Sequence, residues 1–384
     1  MKRAILLLNH GLGDVLMALP LLRRCARSLR PGNRLLILVK SATERVVVRN
    51  ACAGIRGIRI LCIGHMLSTS RFATLKLALW LRRQRPTLFL LPHASERIQM
   101  TLLAGLVGAD VTVVPRSRFN GLLFRDTVPK TTQHKVPYYV RFADVAGVPD
   151  SADVDTRLKI SDASRQRANT LLPGWRASQT WIGLSPGSGP AEAHKRWPVA
   201  YYRSLAERLL ERDSNVRVAV FGSPAERELV AELTADLESS RIIAISQDDV
   251  MVTAAAYSLC ACIVSGCSGS VHLAAAVGAP VVGLYGPTNP GFTGPHAAKC
   301  RIVRAGLRCS PCYRLGFGRG CGNPVCMSLL DVDRVEREVL LALAGRFTSE
   351  IPWCETTRAR KPDLRLREPG DKPASDLEPE EIQV

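Results

Sequence analysis

Aromatic residues are scarce in this chain, at 5% of 384 positions. Proteins that hold single-stranded nucleic acid stack bases on aromatic rings, and no recognisable nucleic-acid-binding motif occurs here, so no nucleic-acid partner is expected. Long hydrophobic runs are missing as well: nothing approaches the ~18 apolar residues of a membrane-spanning helix. The nearest stretch, 4–22, is interrupted by Asn9, His10, Gly11, Gly13 and Asp14. Its opening run Ala4–Leu8, behind Lys2-Arg3, is too short for the core of a secretory signal and reads as the strand of a strand, loop and helix. A disulfide framework is not expected either. Twelve cysteines are many, yet the chain is neither small nor visibly exported, so a cytoplasmic location with reduced thiols is expected. Cys25, Cys52, Cys62, Cys260 and Cys262 stand among apolar neighbours and read as small core residues.

Acidic residues are few in the first half, which shapes the electrostatics. Residues 1–150 carry 24 Lys/Arg against 7 Asp/Glu, residues 151–354 carry 22 against 19, and residues 355–384 carry 6 against 8. Nearly all of the net charge of +18 therefore belongs to the first half. Such a field draws anionic partners, whether nucleic acid, anionic lipid headgroups, or a phosphorylated or carboxylated substrate. Charge alone does not choose among them.

What is present is a globular composition, 46% hydrophobic and 22% charged, in a chain long enough for two domains. Short apolar runs at Ala4–Leu8, Leu35–Val39, Ile58–Ile63, Leu88–Leu91 and Val111–Val114 read as buried strands. Helical patterns at Val15–Leu29, Arg71–Arg83 and Glu96–Leu106 alternate with them, and Pro115–Lys135 reads as a long basic loop. A second series follows, with strands at Trp181–Leu184, Arg217–Phe221, Ile242–Ile245, Cys262–Val264 and Val281–Leu284. Its helices are expected at Val199–Arg212, Ala225–Leu237, Val250–Leu259, Ser270–Val277 and Val332–Leu343, with Leu158–Trp175 bridging the halves. The fold class is therefore α/β, with two doubly wound, Rossmann-like domains at 1–160 and 175–345 facing across a cleft. Residues 355–384, charged and proline-rich, predict a disordered tail.

Three glycine-rich segments sit where strands meet helices. Asn9-His10-Gly11-Leu12-Gly13-Asp14 begins like a dinucleotide fingerprint, but Leu16 occupies the third glycine position. Gly11 and Gly13 permit a tight turn and close ligand approach. Asp14, at a helix start, reads either as a cap or as a general base aimed into the cleft. Ser185-Pro186-Gly187-Ser188-Gly189, followed by Lys195-Arg196-Trp197-Pro198, can cradle phosphate on backbone N–H groups with two cations beside it, or can be an ordinary basic loop. Cys267-Ser268-Gly269-Ser270-Val271-His272 has the same strand-to-helix character, with His272 either lining a ligand or packed in the core. No Asp-x-Asp metal clamp accompanies these loops. Cys309, Cys312, Cys321 and Cys326 have spacing that tetrahedral zinc accepts, but the second pair is irregular and no histidine is near, so no metal ligand is named.

Together these segments resemble glycosyltransferase family 9, the lipopolysaccharide heptosyltransferases, over residues 1–345. The resemblance rests on Leu12-Gly13-Asp14-Val15 with Pro20, on Lys195-Arg196-Trp197-Pro198, on Phe221-Gly222-Ser223, and on Ser268-Gly269 through His272 to Leu284-Tyr285-Gly286-Pro287-Thr288. It implies a GT-B fold with an acceptor domain followed by a nucleotide-sugar domain. It implies inverting transfer of a sugar, heptose from ADP-heptose, to an acidic lipopolysaccharide core or related glycan. By position Asp14 matches the catalytic base, and Lys195 the diphosphate-binding lysine, with Arg196 beside it. Glu226 matches an acidic residue near the nucleoside, and the Ser268–His272 loop a donor-phosphate loop. The implied partners are a nucleotide-sugar donor and an acidic glycolipid acceptor, with peripheral contact at the anionic inner face of the cytoplasmic membrane and no cofactor beyond the donor. Cys267 departs from the family, which usually has aspartate there, and this bears on the identity of the sugar. A sugar-nucleotide epimerase of the same fold and a catalytically silent sugar- or membrane-binding relative are the alternatives.

Overall fold

Leucine- and valine-rich runs form the strands of two six-stranded sheets, parallel throughout, so both faces of each need covering. The computed structural model describes residues 2–347 apart from 65, 67–70, 93–97, 118, 130–132, 150–153, 176–178, 236, 238–239 and 313–323. The first sheet contains β1 (Arg3–Leu8), β2 (Arg34–Val39), β3 (Ile58–Cys62), β4 (Leu88–Leu90), β5 (Val111–Pro115) and β6 (Asp126–Val128), in the order β3-β2-β1-β4-β5-β6. The second contains β7 (Thr180–Ser185), β8 (Val216–Gly222), β9 (Ile242–Ser246), β10 (Cys262–Gly266), β11 (Val281–Leu284) and β12 (Cys300–Val303), in the order β12-β11-β10-β7-β8-β9. Counted from its own first strand, each sheet has the doubly wound order 3-2-1-4-5-6. Each therefore has a switch point at the carboxyl end of its first strand, where ligands of open α/β sheets bind.

Helices cover both sheets. In the first lobe they are α1 (Leu12–Met17), α2 (Leu19–Arg27), α3 (Ala42–Ala51), α4 (Arg71–Arg83), α5 (Ile98–Val107), α6 (Asn120–Leu123) and α7 (Lys135–Val145). After them come α8 (Asp162–Leu171), α9 (Val199–Arg212), α10 (Arg227–Thr234), α11 (Val250–Tyr257), α12 (Gly269–Ala276), α13 (Pro290–Thr293), α14 (Val325–Ser328) and α15 (Val332–Leu343). Along β1 the side chains alternate between faces. Ile5 and Leu7 pack with Leu77, Leu81, Leu103 and Val107 of α4 and α5, whereas Leu6 and Leu8 join α1, α2 and α7. That second cluster continues across the lobe boundary into Trp181, Phe221, Tyr257 and Val271. The far face of the second sheet has its own core around Trp197, Tyr202 and Val335. The lobes meet where α1 lies on α12 and α3 lies on α11.

Several sequence expectations need correction. The single helix expected at Val15–Leu29 starts earlier and breaks at Ala18, whose φ of −87° and ψ of 0° leave the helix. Pro20 is the cause, since it has no N–H and its ring collides with the carbonyl four residues back. The loop expected at Pro115–Lys135 contains α6 and the edge strand β6, too short for a periodic signal. Edge strand β12 was also not anticipated. The helix expected at Ala225–Leu237 is a 3-10 turn, Pro224–Glu226, followed by α10. The bridging segment does contact both halves: Asn50 Nδ2 donates to Lys159 O at 2.8 Å, Leu158 N–H donates to Ala276 O at 2.7 Å, and α8 packs along α11. The tail, 355–384, lies outside the described residues, as does Cys321. Among the described residues no helix is long and apolar enough to cross a membrane.

Candidate active site

The chain leaves β1 through Asn9-His10-Gly11, and Gly11 caps α1 with extended backbone, which places Asp14 in the first helical turn. No side-chain capping bond is made there, so Asp14 is not simply the helix cap. Its carboxylate instead meets α7. Lys135 and Tyr139, four residues apart and hence on one face of that helix, both donate to Asp14 Oδ1, at 2.6 and 2.9 Å. Asp14 Oδ2 lies 4.0 Å from His10 Nδ1. Lys135 is buried, and its ammonium group stands 5.7 Å from the Phe292 ring centroid, across the lobe boundary. Burial, and then the negative charge of Asp14, hold the Tyr139 hydroxyl well above its ordinary pKa, so it remains a proton donor to the carboxylate. A cavity of about 10 Å³ beside Asp14 is bounded by His10, Val15, Pro92 and Tyr139.

Two histidines line the seam between the lobes. His134 caps α7: its Nδ1 accepts from Val136 N–H at 3.2 Å, which places the proton on Nε2, and Nε2 donates to Gly294 O at 2.9 Å. Burial pushes its pKa down to about 4. His272, on α12, is pushed down to about 3, first by burial, then by His134; Lys135 and Lys195 lower it too, while Asp14 opposes them. His272 thus feels the charges of both Asp14 and Lys195. Its ring covers Gly13, where a Cβ would come 2.8 Å from His272 Cδ2, so glycine is required there by a close approach. Gly11 has open space around it and makes no such demand.

The switch point of the second sheet opens into a cavity of about 310 Å³, the size of a small-molecule site. Gly187 and Ser188 after β7, Glu226 after β8, Gln247 after β9, and Ser268 and Gly269 after β10 line it, and Leu12 and Thr43 of the first lobe contribute to its wall. Glu226 Oε2 accepts from the N–H and hydroxyl of Ser223, at 2.9 and 2.8 Å, forming a capping box. A Cβ at Gly187 would fall 2.0 Å from Glu226 Oε1, so this glycine makes room for the carboxylate. Ser268 caps α12, accepting from Ser270 N–H at 3.3 Å.

Lys195 and Arg196 do not line this cavity; they stand behind it. Arg196 grips the wall residue Ser188, with Nε on its Oγ at 3.1 Å and Nη2 on its carbonyl at 2.8 Å. Lys195 is buried, and its Nζ donates to Glu192 Oε1 at 2.5 Å. Its carbonyl lies 3.0 Å from the point a Cβ would occupy at Gly266, so it adjoins the end of β10 that leads into Cys267 and Ser268. Cys267 faces α13, with Sγ 3.9 Å from Thr293 Oγ1. Asp14 borders the small cavity of the first lobe, and neither Asp14 nor Lys195 lines the larger one. Glu226, Gly187, Ser268 and Gly269 do converge.

Sequence reading missed Lys135, Tyr139 and His134, although a histidine before an amphipathic run with proline in its first turn is an admissible helix start. Among the described residues no group of three or more metal-ligating side chains converges. Cys309 and Cys312 are exposed, while Cys326 is buried beneath Gly286. Of the Asp-x-Asp pairs elsewhere in the chain, Asp331-Val332-Asp333 is used structurally: Asp331 caps α15 and Asp333 pairs with Arg208.

The family profile described as glycosyltransferase family 9 (heptosyltransferase) matches residues 103–316. Lipopolysaccharide heptosyltransferase 1 of Pseudomonas aeruginosa is 39% identical over 158 residues, which is 38% of this chain and 43% of that protein. The matched stretch thus spans less than half the length of this curated relative. The crystal structure of the glycosyl transferase family 9 from Veillonella parvula superposes with a TM-score of 0.71 at 20% identity, covering 90% of this chain and 98% of that one. The Escherichia coli ADP-heptose lps heptosyltransferase II structure gives 0.65 at 22% identity, covering 90% and 99%. At these identities the likeness is one of fold.

Proposed function

This chain belongs to glycosyltransferase family 9 and has the two-lobed GT-B fold; from that premise we propose that it moves a sugar, heptose from ADP-heptose, onto an acidic lipopolysaccharide-core acceptor with inversion at the anomeric carbon. The observation that carries this reading is the pairing of a nucleotide-sized cavity in one lobe with a doubly anchored carboxylate, Asp14, in the facing lobe. The names of the relatives support the donor: one is called a lipopolysaccharide heptosyltransferase and one carries ADP-heptose in its description. The +17 balance of residues 1–150 suits an acceptor rich in carboxylate and phosphate.

The reaction is one in-line displacement. The acceptor oxygen forms a bond to the anomeric carbon as the bond from that carbon to the diphosphate oxygen breaks on the opposite face. The hydroxyl proton passes to Asp14, and the electron pair leaves on the diphosphate. Lys135 and Tyr139 hold Oδ1 and so orient the carboxylate, which takes the proton through Oδ2. A positioned base of this kind contributes typically ~10²–10⁴-fold. Ser268 and Gly269, at the start of α12, offer backbone N–H groups to the diphosphate, with His272 on the same helix, Lys195 adjoining the end of β10, and Arg196 holding the Ser188 wall from behind. Lys195 exchanges its Glu192 partner for phosphate oxygen when donor is bound. Glu226 accepts hydrogen bonds from the nucleoside. With protein cations balancing the leaving group, no metal or cofactor is needed, and the protein acts in the cytoplasm beside the membrane that carries its acceptor.

The test is Asp14→Asn, assayed for ADP release with ADP-heptose and core oligosaccharide. Donor affinity by calorimetry should stay within about twofold while turnover falls by ~10²–10⁴. Unchanged turnover removes Asp14 from the base role. ADP-heptose conversion without any acceptor would instead indicate an epimerase.

A further inference from the structure

We infer that the outer face of the first lobe, built by α4, α5 and α6, docks onto an anionic lipid bilayer. Of the twelve large apolar side chains exposed among the described residues, nine belong to these three helices and their caps. Phe72, Leu75 and Leu79 form one stripe of α4, and Ile98, Leu102 and Leu106 recur at every fourth position of α5. Phe119, Leu122 and Leu123 occupy α6 and its start, with Phe72 77% exposed and Leu122 82%. Single exposed leucines are ordinary, but a contiguous apolar patch marks an interaction surface.

The three helices are neighbours. α4 packs along α5, and Gly108, just past α5, lies 3.7 Å by its virtual Cβ from the Arg82 guanidinium carbon. Thr101 Oγ1 on α5 donates to Asn120 Oδ1 on α6 at 2.6 Å, and a Cβ at Gly105 would stand 3.9 Å from the Phe124 ring. The opposite sides of α4 and α5 already fill the core through Leu77, Leu81, Leu103 and Val107. These helices are thus apolar on two sides, one inside the lobe and one in solvent.

Charge selects the occupant. Residues 71–125 carry nine Lys/Arg against two Asp/Glu, and Lys76, Arg82, Arg83, Arg85, Arg116 and Arg125 are exposed. A second copy of this face would bring the same positive charge against it. An anionic bilayer offers both complements, phosphate for the arginines and acyl chains for the leucines and phenylalanines. The placement also suits the chemistry. Asn9, in the loop leading to Asp14, meets Met100 on the buried side of α5, so the helix that carries part of the patch also borders the loop before the carboxylate. Only this last point, that docking brings a lipid-borne acceptor to Asp14, rests on the proposed transferase activity.

The experiment is co-sedimentation of the full chain with phosphatidylglycerol/phosphatidylcholine vesicles and with phosphatidylcholine alone, at low and high salt. We expect binding to the anionic vesicles that weakens with salt. Partition should fall about tenfold or more in the variant Phe72→Ser/Leu102→Ser/Leu122→Ser and in the variant Lys76→Glu/Arg83→Glu. ADP release with a water-soluble core oligosaccharide should be unchanged in both. The charge variant keeps the test open if the apolar one does not fold. No sedimentation of the wild-type protein, or equal sedimentation of the folded variants, overturns the inference. So does a concentration-dependent dimer abolished by the same substitutions. Vesicle binding without transfer to any acceptor would sink the transferase reading while leaving the docking surface in place.

Discussion

Two donors on a single carboxylate oxygen fix both the position and the angle of Asp14, and they come from one helix turn apart on α7. Tyr139→Phe removes one of them while keeping the ring that packs at this place. Its expected effect is a fall in kcat of about tenfold with KM for donor little changed, read from steady-state ADP release. A wild-type kcat would show that Lys135 alone suffices to orient the base. Gly187→Ala puts a methyl group against the Glu226 carboxylate, at 2.0 Å before relaxation, and should weaken donor binding by about tenfold or more in calorimetry. The small-residue loops were legible in sequence because glycine and hydroxyl residues at strand ends leave a composition signal, whereas Glu226, and the choice of base over cap for Asp14, came only from the family resemblance. Lys135 and Tyr139 were not legible. Each is an ordinary residue whose role depends on the docking of α7 against α1, which no local pattern records.

At the scale of elements, α7 is the piece most exposed to pH. Its cap, His134, uses both ring nitrogens while neutral, one for Val136 N–H and one for Gly294 O, with His296, His272 and Lys135 as its charged or titratable neighbours. In the unfolded chain a histidine takes a proton near pH 6.5; folded, His134 does so only near about 4 and His272 near about 3. Between those values the unfolded state binds more protons, so stability is complete above pH 6.5 and is lost as pH falls toward 4. Going from pH 7 to 5 should cost on the order of 2 kcal/mol for each histidine, seen as a lower denaturation midpoint. His134→Gln should flatten that slope, and an unaltered slope would refute the assignment. The central strands were legible because continuous apolar runs announce strands buried on both faces. The edge strands β6 and β12, three and four residues long, gave no such run, and Pro20 hid the break between α1 and α2 inside one amphipathic pattern.

For the whole molecule, one apolar cluster runs from Leu6 and Leu16 through the seam to Phe221 and Val271, so the lobes share part of their core. Heating should therefore give a single cooperative transition rather than two. Donor at a hundred times its Kd should add about 2.7 kcal/mol and raise the midpoint of that one transition, as calorimetry would record. Two separate transitions, with only one responding to donor, would contradict a shared core. The two-lobed plan was legible from the repeated alternation of strand and helix, but the extent of contact between lobes was not, since Gly13 and Gly269 look like loop glycines until their neighbours are seen.

Those neighbours form a quartet. Gly13 makes room for His272, and Gly269 makes room for Leu12, whose Cβ lies 3.2 Å from the point a side chain would start. Each half of the protein thus hollows itself where the other bulges. A chimaera that joins the first half of this chain to the second half of a relative would inherit a misfit wherever the relative fills either hollow, and a substitution at one member would be tolerated in a lineage only alongside a shrinking partner.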